Sequence, residues 1–429
     1  MGSCFSAKSK VVDVMSAIAL IDCDNFFVSC ERLFRPNLKK KPILVLSSND
    51  ACVISRSEEV KALGVKMGVP HFKIRDVCEE HKVILFSSNF ELYRDISRRV
   101  MSVLKRFSEN LEIYSIDEAF AELSNGTTAE KIRWTVLKEV GVPVSVGVSH
   151  TKTLAKVASH FAKPKSDGVG HKELLEQCDI DDALQEIEIG DVWGIGRQYS
   201  KKLKRYDVFS AQDLLNKSDE WVRKKTNMLG LQTVAELRGT QCLEVGEDPE
   251  LRKSLVHSQS FGKPVYKLSE LRASVARHAR AAAETLRAEE AVARHVSVFI
   301  RTSRHKYDKY TGAYDMDILG IHTNDTLKIV ESALSILERL YKRDVGYAKA
   351  GVYVRDIVPE GAQPQETLFK EKTGENKLME ALDALHFKYG VSVKTGAEIE
   401  EGKWRAKRNH LSPRRTTRWD EVATVHLLD

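Results

Sequence analysis

Two stretches of alternating or continuous apolar residues run into acids. Ile18-Ala19-Leu20-Ile21 leads straight into Asp22-Cys23-Asp24, and the segment from Leu111 to Ala121 alternates around Ser115-Ile116-Asp117-Glu118. A strand is predicted over Ala17–Phe26 and a strand or hairpin over 111–121. Period two puts Asp22 and Asp24 on one face, whereas the neighbours Asp117 and Glu118 can serve one site only at a bend or turn. A further strand is predicted over Pro143–Val148. Helical spacing marks Tyr93–Phe107, with Ile96, Val100, Val103 and Leu104 on one face, and Thr151–Ala162, which carries Lys152, Lys156 and then Lys163. Glu58–Leu63 reads as a short helix stopped by Gly64. Further on, the pattern predicts a helix over Ser269–Ala288 and a strand over Arg294–Thr302 with Val296, Val298 and Ile300 buried. A helix over Thr326–Lys342, carrying Leu327, Val330, Leu334 and Leu337, and a strand over Ala348–Val354 follow. A last helix is expected around Leu378–Phe387.

A buried carboxylate is costly unless it is paired or holds a metal. Acids at two strand ends suit a pair of hard divalent cations, which take oxygen ligands and share them with substrate phosphates.

The 429 residues amount to several domains, and the overall charge of +6 is modest. Its distribution changes the picture. From Arg252 to Tyr310 there are 13 Lys/Arg against 5 Asp/Glu, and Lys403 to Arg418 holds seven Lys/Arg and no acid. Basic segments of this kind fit a polyanion such as DNA. No apolar run of about 18 residues exists, which excludes a membrane span of the helical kind. The seven cysteines form no C-x-x-C pair, as expected of free thiols in a reducing cytoplasm. Met1 to Ser6 match an N-myristoylation pattern, which a bacterial origin would make accidental; residues 1–16 are expected to be an extension, with Met15 as an alternative start.

Asp22-Cys23-Asp24-Asn25-Phe26-Phe27 and Ser115-Ile116-Asp117-Glu118 resemble the two metal-site motifs of Y-family translesion DNA polymerases. Phe34-Arg35-Pro36, Ala62 to Gly68, Phe86-Ser87-Ser88-Asn89, Thr151 to Lys156, Val192 to Arg197, Leu411-Ser412-Pro413-Arg414 and Thr416-Thr417-Arg418 extend the resemblance to the UmuC type, the catalytic subunit of bacterial DNA polymerase V. It covers nearly everything from about Met15 to Glu421. The implied fold is α+β and multidomain: a right-hand polymerase with palm, small fingers, helical thumb and α/β little finger, plus a C-terminal tail. The implied boundaries are 17–26 and 87–164 for the palm, 27–86 for the fingers and 171–245 for the thumb. They continue with 246–254 for a linker, 255–356 for the little finger and 357–429 for a partner-binding tail.

The resemblance implies that Asp22, Asp117 and Glu118 hold two Mg²⁺ per active site with the Cys23 carbonyl, and places Asp24 outside the metal shell. Phe27 matches the steric gate against ribonucleotides. Lys61 and Lys163 match phosphate-binding positions, with Ser55 and Arg56 as neighbours. Gly194 and Gly196 resemble a helix-hairpin-helix that lets backbone N–H groups approach DNA phosphate, and Arg301 and Arg304 lie in the basic segment. Gln365-Glu366-Thr367-Leu368-Phe369 resembles the sliding-clamp pentapeptide. The implied partners are primer-template DNA, dNTP, the sliding clamp, a UmuD-type accessory dimer and the RecA filament. The implied setting is the cytoplasm, at the nucleoid, in the SOS DNA-damage response. The tail, poor in large apolar residues, is expected to order on a partner. The alternatives are a self-sufficient DinB-type polymerase, a non-catalytic DNA-binding scaffold with a relic palm, and a two-metal nuclease or cyclase.

Overall fold

The structure, a computed structural model, describes residues 17–124, 126–163, 169–246, 251–303, 311–362, 377–389, 393–399 and 406–422. Among them twelve strands form: β1 Ile18–Cys23, β2 Ile43–Leu46, β3 Val53–Arg56, β4 Ile84–Ser87, β5 Leu111–Ile113, β6 Glu118–Glu122, β7 Val144–Ser149, β8 His171–Leu174, β9 Ser254–Val265, β10 Ala291–Arg301, β11 Gly312–Thr323 and β12 Tyr347–Pro359. The chain divides into two compact units. The first comprises residues 1–45, 53–247 and 411–429, the second 46–52 and 248–410.

The first unit is built on a five-stranded sheet in the order β5-β6-β1-β7-β8. β1 is antiparallel to both neighbours, and β7 runs parallel to β8. Every residue of β1 is buried because both faces are covered. Ala19, Ile21 and Cys23 join one core with the helices Phe90–Leu104 and Ala129–Val140. Ile18 and Leu20 pack on the other face with Phe120 and Ala155. Asp22 shares the parity of Ile18 and Leu20, so it belongs to the face covered by the helix Lys152–Ala162. That helix lies tight against β7 because Gly147 has no side chain: a Cβ there would sit 2.1 Å from the Ser159 nitrogen and 2.5 Å from the Ala155 oxygen. A smaller sheet, β3-β2-β4, follows the helix Phe26–Leu33 in the chain. Five helices between Gln177 and Leu237 gather around Leu184, Leu203, Leu214, Val222 and Val234.

The second unit is an antiparallel sheet, β11-β10-β12-β9, with helices Leu268–Ala288 and Thr326–Leu340 packed over Val296, Val298, Ile300, Val352 and Val354. The expected inward face of β10 is thus observed, whereas Leu327, in the first turn of its helix, is 52% exposed. The helix expected over Tyr93–Phe107 starts at Phe90, three residues early, because the Asn89 side chain caps it by accepting from the Leu92 N–H.

In the tail the helix expected around Leu378–Phe387 is present, over Lys377–Tyr389, but the way the segment is ordered departs from expectation. Residues 377–389 form a helix and, with 393–399, are held on their own chain in the second unit. Arg287 forks onto the Asp383 carboxylate at 2.7 Å for both bonds, and Arg280, itself 6% exposed, meets the buried Glu398 at 3.0 Å. Residues 411–422 belong to the first unit, where Leu411 bridges Ser87. Hydrogen-bonded charge pairs order this segment where apolar area is scarce.

Candidate active site

The register of the central sheet brings the acids together. Asp22 stands directly opposite Glu118 across the β1–β6 pair. Asp117 lies in the bend before β6, where its carbonyl accepts the Cys23 N–H at 2.9 Å. Ser115 builds that bend: its hydroxyl donates to Asp117 Oδ1 at 2.6 Å and accepts the Glu118 N–H at 3.1 Å. The bend lets neighbouring acids serve one place, as the alternation required.

Two lysines from one helix answer the acids. Lys163 Nζ, at the end of Lys152–Ala162, meets Asp22 Oδ2 at 2.5 Å, and Lys156 Nζ meets Glu118 Oε2 at 2.8 Å. Burial pushes the Asp22 carboxyl up to about 6 against the pull of Lys163. Burial disfavours the Lys163 ammonium too, but Asp22, Glu118 and Asp24 together hold its pKa above the ordinary value. Burial also raises Asp24, whose carboxylate accepts the Ser145 hydroxyl at 2.6 Å. The Cys23 thiol is pushed well up by burial and stays a thiol. The donor set is all oxygen, with Asp22 buried and Asp117 and Glu118 half-buried, and it already faces two ammonium groups, so it fits divalent cations. A second group of ligand-type side chains, Glu284, Asp383 and His386, fits less well, because Arg280 and Arg287 already hold its two carboxylates.

Phe27 is half-buried and stacks on Tyr93, with ring centroids 4.6 Å apart and 17° between planes. Ser55 is buried, its hydroxyl 3.4 Å from the Asn25 carbonyl. Arg56 donates to the Val65 carbonyl, and its Nε–H is buried without an acceptor among the described residues. Lys61 is exposed and paired with Glu58 at 2.6 Å. Gly194 has φ +87° and a Cβ there would lie 2.8 Å from Thr233 Oγ1, so glycine is required; Gly196 precedes the helix Arg197–Lys204 in an ordinary extended conformation. Arg301 is on β10 in the second unit, its guanidinium 4.6 Å from the Phe299 ring centre. Arg304, Gln365, Leu368 and Phe369 lie outside the described residues.

Sequence reasoning missed the surroundings of Lys156, whose ammonium sits over Tyr114 at 4.5 Å and Trp193 at 5.3 Å. It also missed the exposed apolar row Tyr314, Met316 and Ile318 on β11, beside Phe299 and Arg301 on β10. The alternation of 314–318 was the available signal.

Comparison with known proteins places the chain in a family. Residues 21–160 match the impB/mucB/samB family model and 252–368 its C-terminal domain model, while 376–425 match a domain of unknown function, DUF4113. The chain is 39% identical to protein UmuC of Salmonella typhimurium over 95% of its length and 99% of that protein. It is 33% identical to MucB of Escherichia coli, covering 94% and 98%. DNA polymerase IV of Brucella melitensis is 26% identical over 90% of this chain and 86% of its own. A solved Y-family DNA polymerase chimera of Dbh and Dpo4 superposes with a TM-score of 0.63 at 21% identity, covering 80% of this chain and 99% of that one. No helix of the described residues is long and apolar enough to cross a membrane. The chain belongs to the impB/mucB/samB family, the UmuC-type Y-family DNA polymerases.

Proposed function

We propose that this translesion DNA polymerase of the SOS response adds deoxynucleotides by two-metal transfer, with Asp22, Asp117, Glu118 and the Cys23 carbonyl as ligands of two Mg²⁺. The observation that carries the reading is the cross-strand pairing of Asp22 with Glu118 beside the Asp117 bend. Divalent metals bound there would lower the pKa of the primer 3′-hydroxyl and neutralise the departing pyrophosphate. Lys163 balances Asp22 before metal arrives and is then free for the triphosphate, with Lys61, Ser55 and Arg56 alongside. Lys61 must first leave Glu58. Phe27 rejects the 2′-hydroxyl by clash rather than by weaker attraction.

The proposed division is palm 17–26 and 87–164, fingers 27–86, thumb 171–245, linker 246–254, little finger 255–356 and tail 357–429. The backbone N–H groups around Gly194 and Gly196, with Arg301 and Arg304, contact the primer-template. Gln365, Leu368 and Phe369 engage the sliding clamp, and a UmuD-type dimer and the RecA filament complete a cytoplasmic, nucleoid-associated assembly.

The test is primer extension with Asp117→Ala. Extension should disappear while primer-template affinity stays close to wild type, because phosphate contacts elsewhere supply most of the binding. A folded variant that loses DNA affinity in parallel would remove Asp117 from the ligand set.

A further inference from the structure

Phe27 is not held by apolar packing alone. It lies on the helix Phe26–Leu33 one turn before Glu31, so the two side chains share a face. The Tyr93 ring, fully buried, stacks flat on Phe27, and Phe90 closes edge-on at 5.7 Å. Tyr93 has one hydroxyl proton, and it goes to Glu31 Oε1 at 2.7 Å. The same carboxylate oxygen accepts a second hydroxyl, from Ser412, at 2.8 Å. Ser412 is fixed in turn by Asn89, whose Nδ2 donates to its hydroxyl at 3.0 Å and its carbonyl at 3.1 Å. Glu31 is 3% exposed, Asn89 2% and Ser412 5%, so none of these bonds has water as a ready substitute.

We propose that Ser412, in the segment matched by the domain of unknown function, is a positioning residue for sugar selection: through Glu31 and Tyr93 it fixes the ring of Phe27. The inference rests on the reading of Phe27 as the gate. A gate that works by clash needs a rigid backing, since a ring free to retreat by a fraction of an ångström admits the extra hydroxyl. Tyr93 is that backing, and its tilt is set by where its hydroxyl finds an acceptor. Glu31 supplies the acceptor, and a buried carboxylate keeps its place only while its donors hold it. Two hydroxyls do so, one from Tyr93 and one from Ser412. Burial pushes the Glu31 carboxyl up while both hydroxyls favour its ionised form. Removing the Ser412 hydroxyl takes one donor from Glu31 and loosens the stack from behind. The segment around Ser412 therefore reaches the nucleotide sugar without touching it.

The experiment measures kcat and KM for single dNTP and rNTP insertion by the full-length protein. Ser412→Ala should lower the dNTP-over-rNTP preference about tenfold, the scale of one missing hydrogen bond to a charged acceptor, chiefly through a lower KM for rNTP. Ser412→Thr keeps the hydroxyl and should restore the preference. Tyr93→Phe cuts the same link from the other side and should relax it to a similar degree, which preserves the test if Ser412→Ala fails to fold. Phe27→Ala separates the two readings. If it leaves discrimination unchanged, the gate reading itself fails. If it relaxes discrimination while both Ser412→Ala and Tyr93→Phe do not, only the positioning role fails. Adding Ser412→Ala to Phe27→Ala should change nothing further. Arg414→Ala removes the nearby pair with Glu421 but no bond to Glu31, and should leave discrimination alone. Equal relaxation by Arg414→Ala would mean that docking of the whole segment, not the Ser412 hydroxyl, sets the gate.

Discussion

Replacing Asp22 by Asn should stabilise the metal-free protein while abolishing synthesis. The carboxyl is 6% exposed, and burial raises its pKa from 3.8 to about 6, Lys163 acting against the rise. A folded pKa above the unfolded one means that the native state binds the proton more tightly. Stability therefore falls as pH rises from 3.8 to about 6, and the full penalty stands above that window. A rise of that size is worth about 3 kcal/mol. Asn keeps the shape but gives up the ion pair with Lys163, a half-exposed lysine whose contribution is modest, and its amide must find partners. A net gain of about 1.5 kcal/mol is expected, or about 3 °C in melting temperature for a unit of this size.

The assay is a thermal melt in EDTA at about pH 7.5, repeated near pH 4. There the folded carboxyl is protonated and the unfolded one only about 60% ionised, so little of the penalty has yet accrued and most of the difference should vanish. With Mg²⁺, primer-template and dNTP the order should reverse, because only the wild type gains binding free energy from metal at this carboxylate. A variant that melts at or below wild type in EDTA, or whose advantage is the same near pH 4, would refute the argument that Asp22 is buried at a cost relieved by metal.

Gly147→Ala should cost about 1–3 kcal/mol, since its Cβ meets backbone and not a movable side chain; it should also reduce primer extension, because the displaced helix carries Lys156 and Lys163, and a normal melt with full activity would sink this. Arg301→Ala with Arg304→Ala should flatten the slope of log affinity against log salt by roughly 0.9 for each phosphate no longer neutralised, and an unchanged slope places the basic segment away from DNA. Leu368→Ala with Phe369→Ala should lower clamp-stimulated synthesis and spare basal single-nucleotide insertion, since tethering raises local concentration without adding anything at the acids; equal loss with and without clamp counts against the pentapeptide.

The acids were legible because each closes an apolar stretch, where an unpaired charge has no structural excuse. The bend at Ser115–Asp117 followed from the same alternation, since it was the only way two neighbouring acids could share a place. The alternation of β11 was there to be read, but its facing was not: Tyr314, Met316 and Ile318 face out, while Asp315 and Asp317 pair with Arg339 at 2.8 and 2.7 Å. There the rule that apolar positions point inward inverts, and nothing in the local sequence says that a helix will supply the arginine. β9 was missed for a related reason. Its Ser, His, Gln and Lys residues lie on a strand with one hydrogen-bonded neighbour, β12, where the burial that makes a strand readable is slight. The tail failed differently. Poverty in large apolar side chains argued for order only on a partner, but Arg280–Glu398 and Arg287–Asp383 supply directional bonds in place of area. Such pairs join residues about a hundred positions apart, beyond the reach of any local pattern.

The same limit explains why Phe27 was legible and its support was not. Phe27 was singled out by the resemblance, as the residue that matches the gate position in the Asp22–Phe27 motif. Glu31 reads as an ordinary acid one turn further along a short helix, and only the structure shows it buried between hydroxyls from residues 93 and 412. A carboxylate four residues after an aromatic on an otherwise apolar helix face carries a testable implication of its own. Either it reaches solvent, or two or more donors from distant parts of the chain must converge on it. Here the donors come from a helix whose start is set by Asn89 and from a segment anchored to that same asparagine. One amide therefore fixes both hydroxyls that hold Glu31. Asn89→Ala should consequently disturb sugar discrimination at least as much as Ser412→Ala, with a loss of helix-capping stability of about 1 kcal/mol in addition. Discrimination intact in a folded Asn89→Ala variant would show that the two hydroxyls find Glu31 without it.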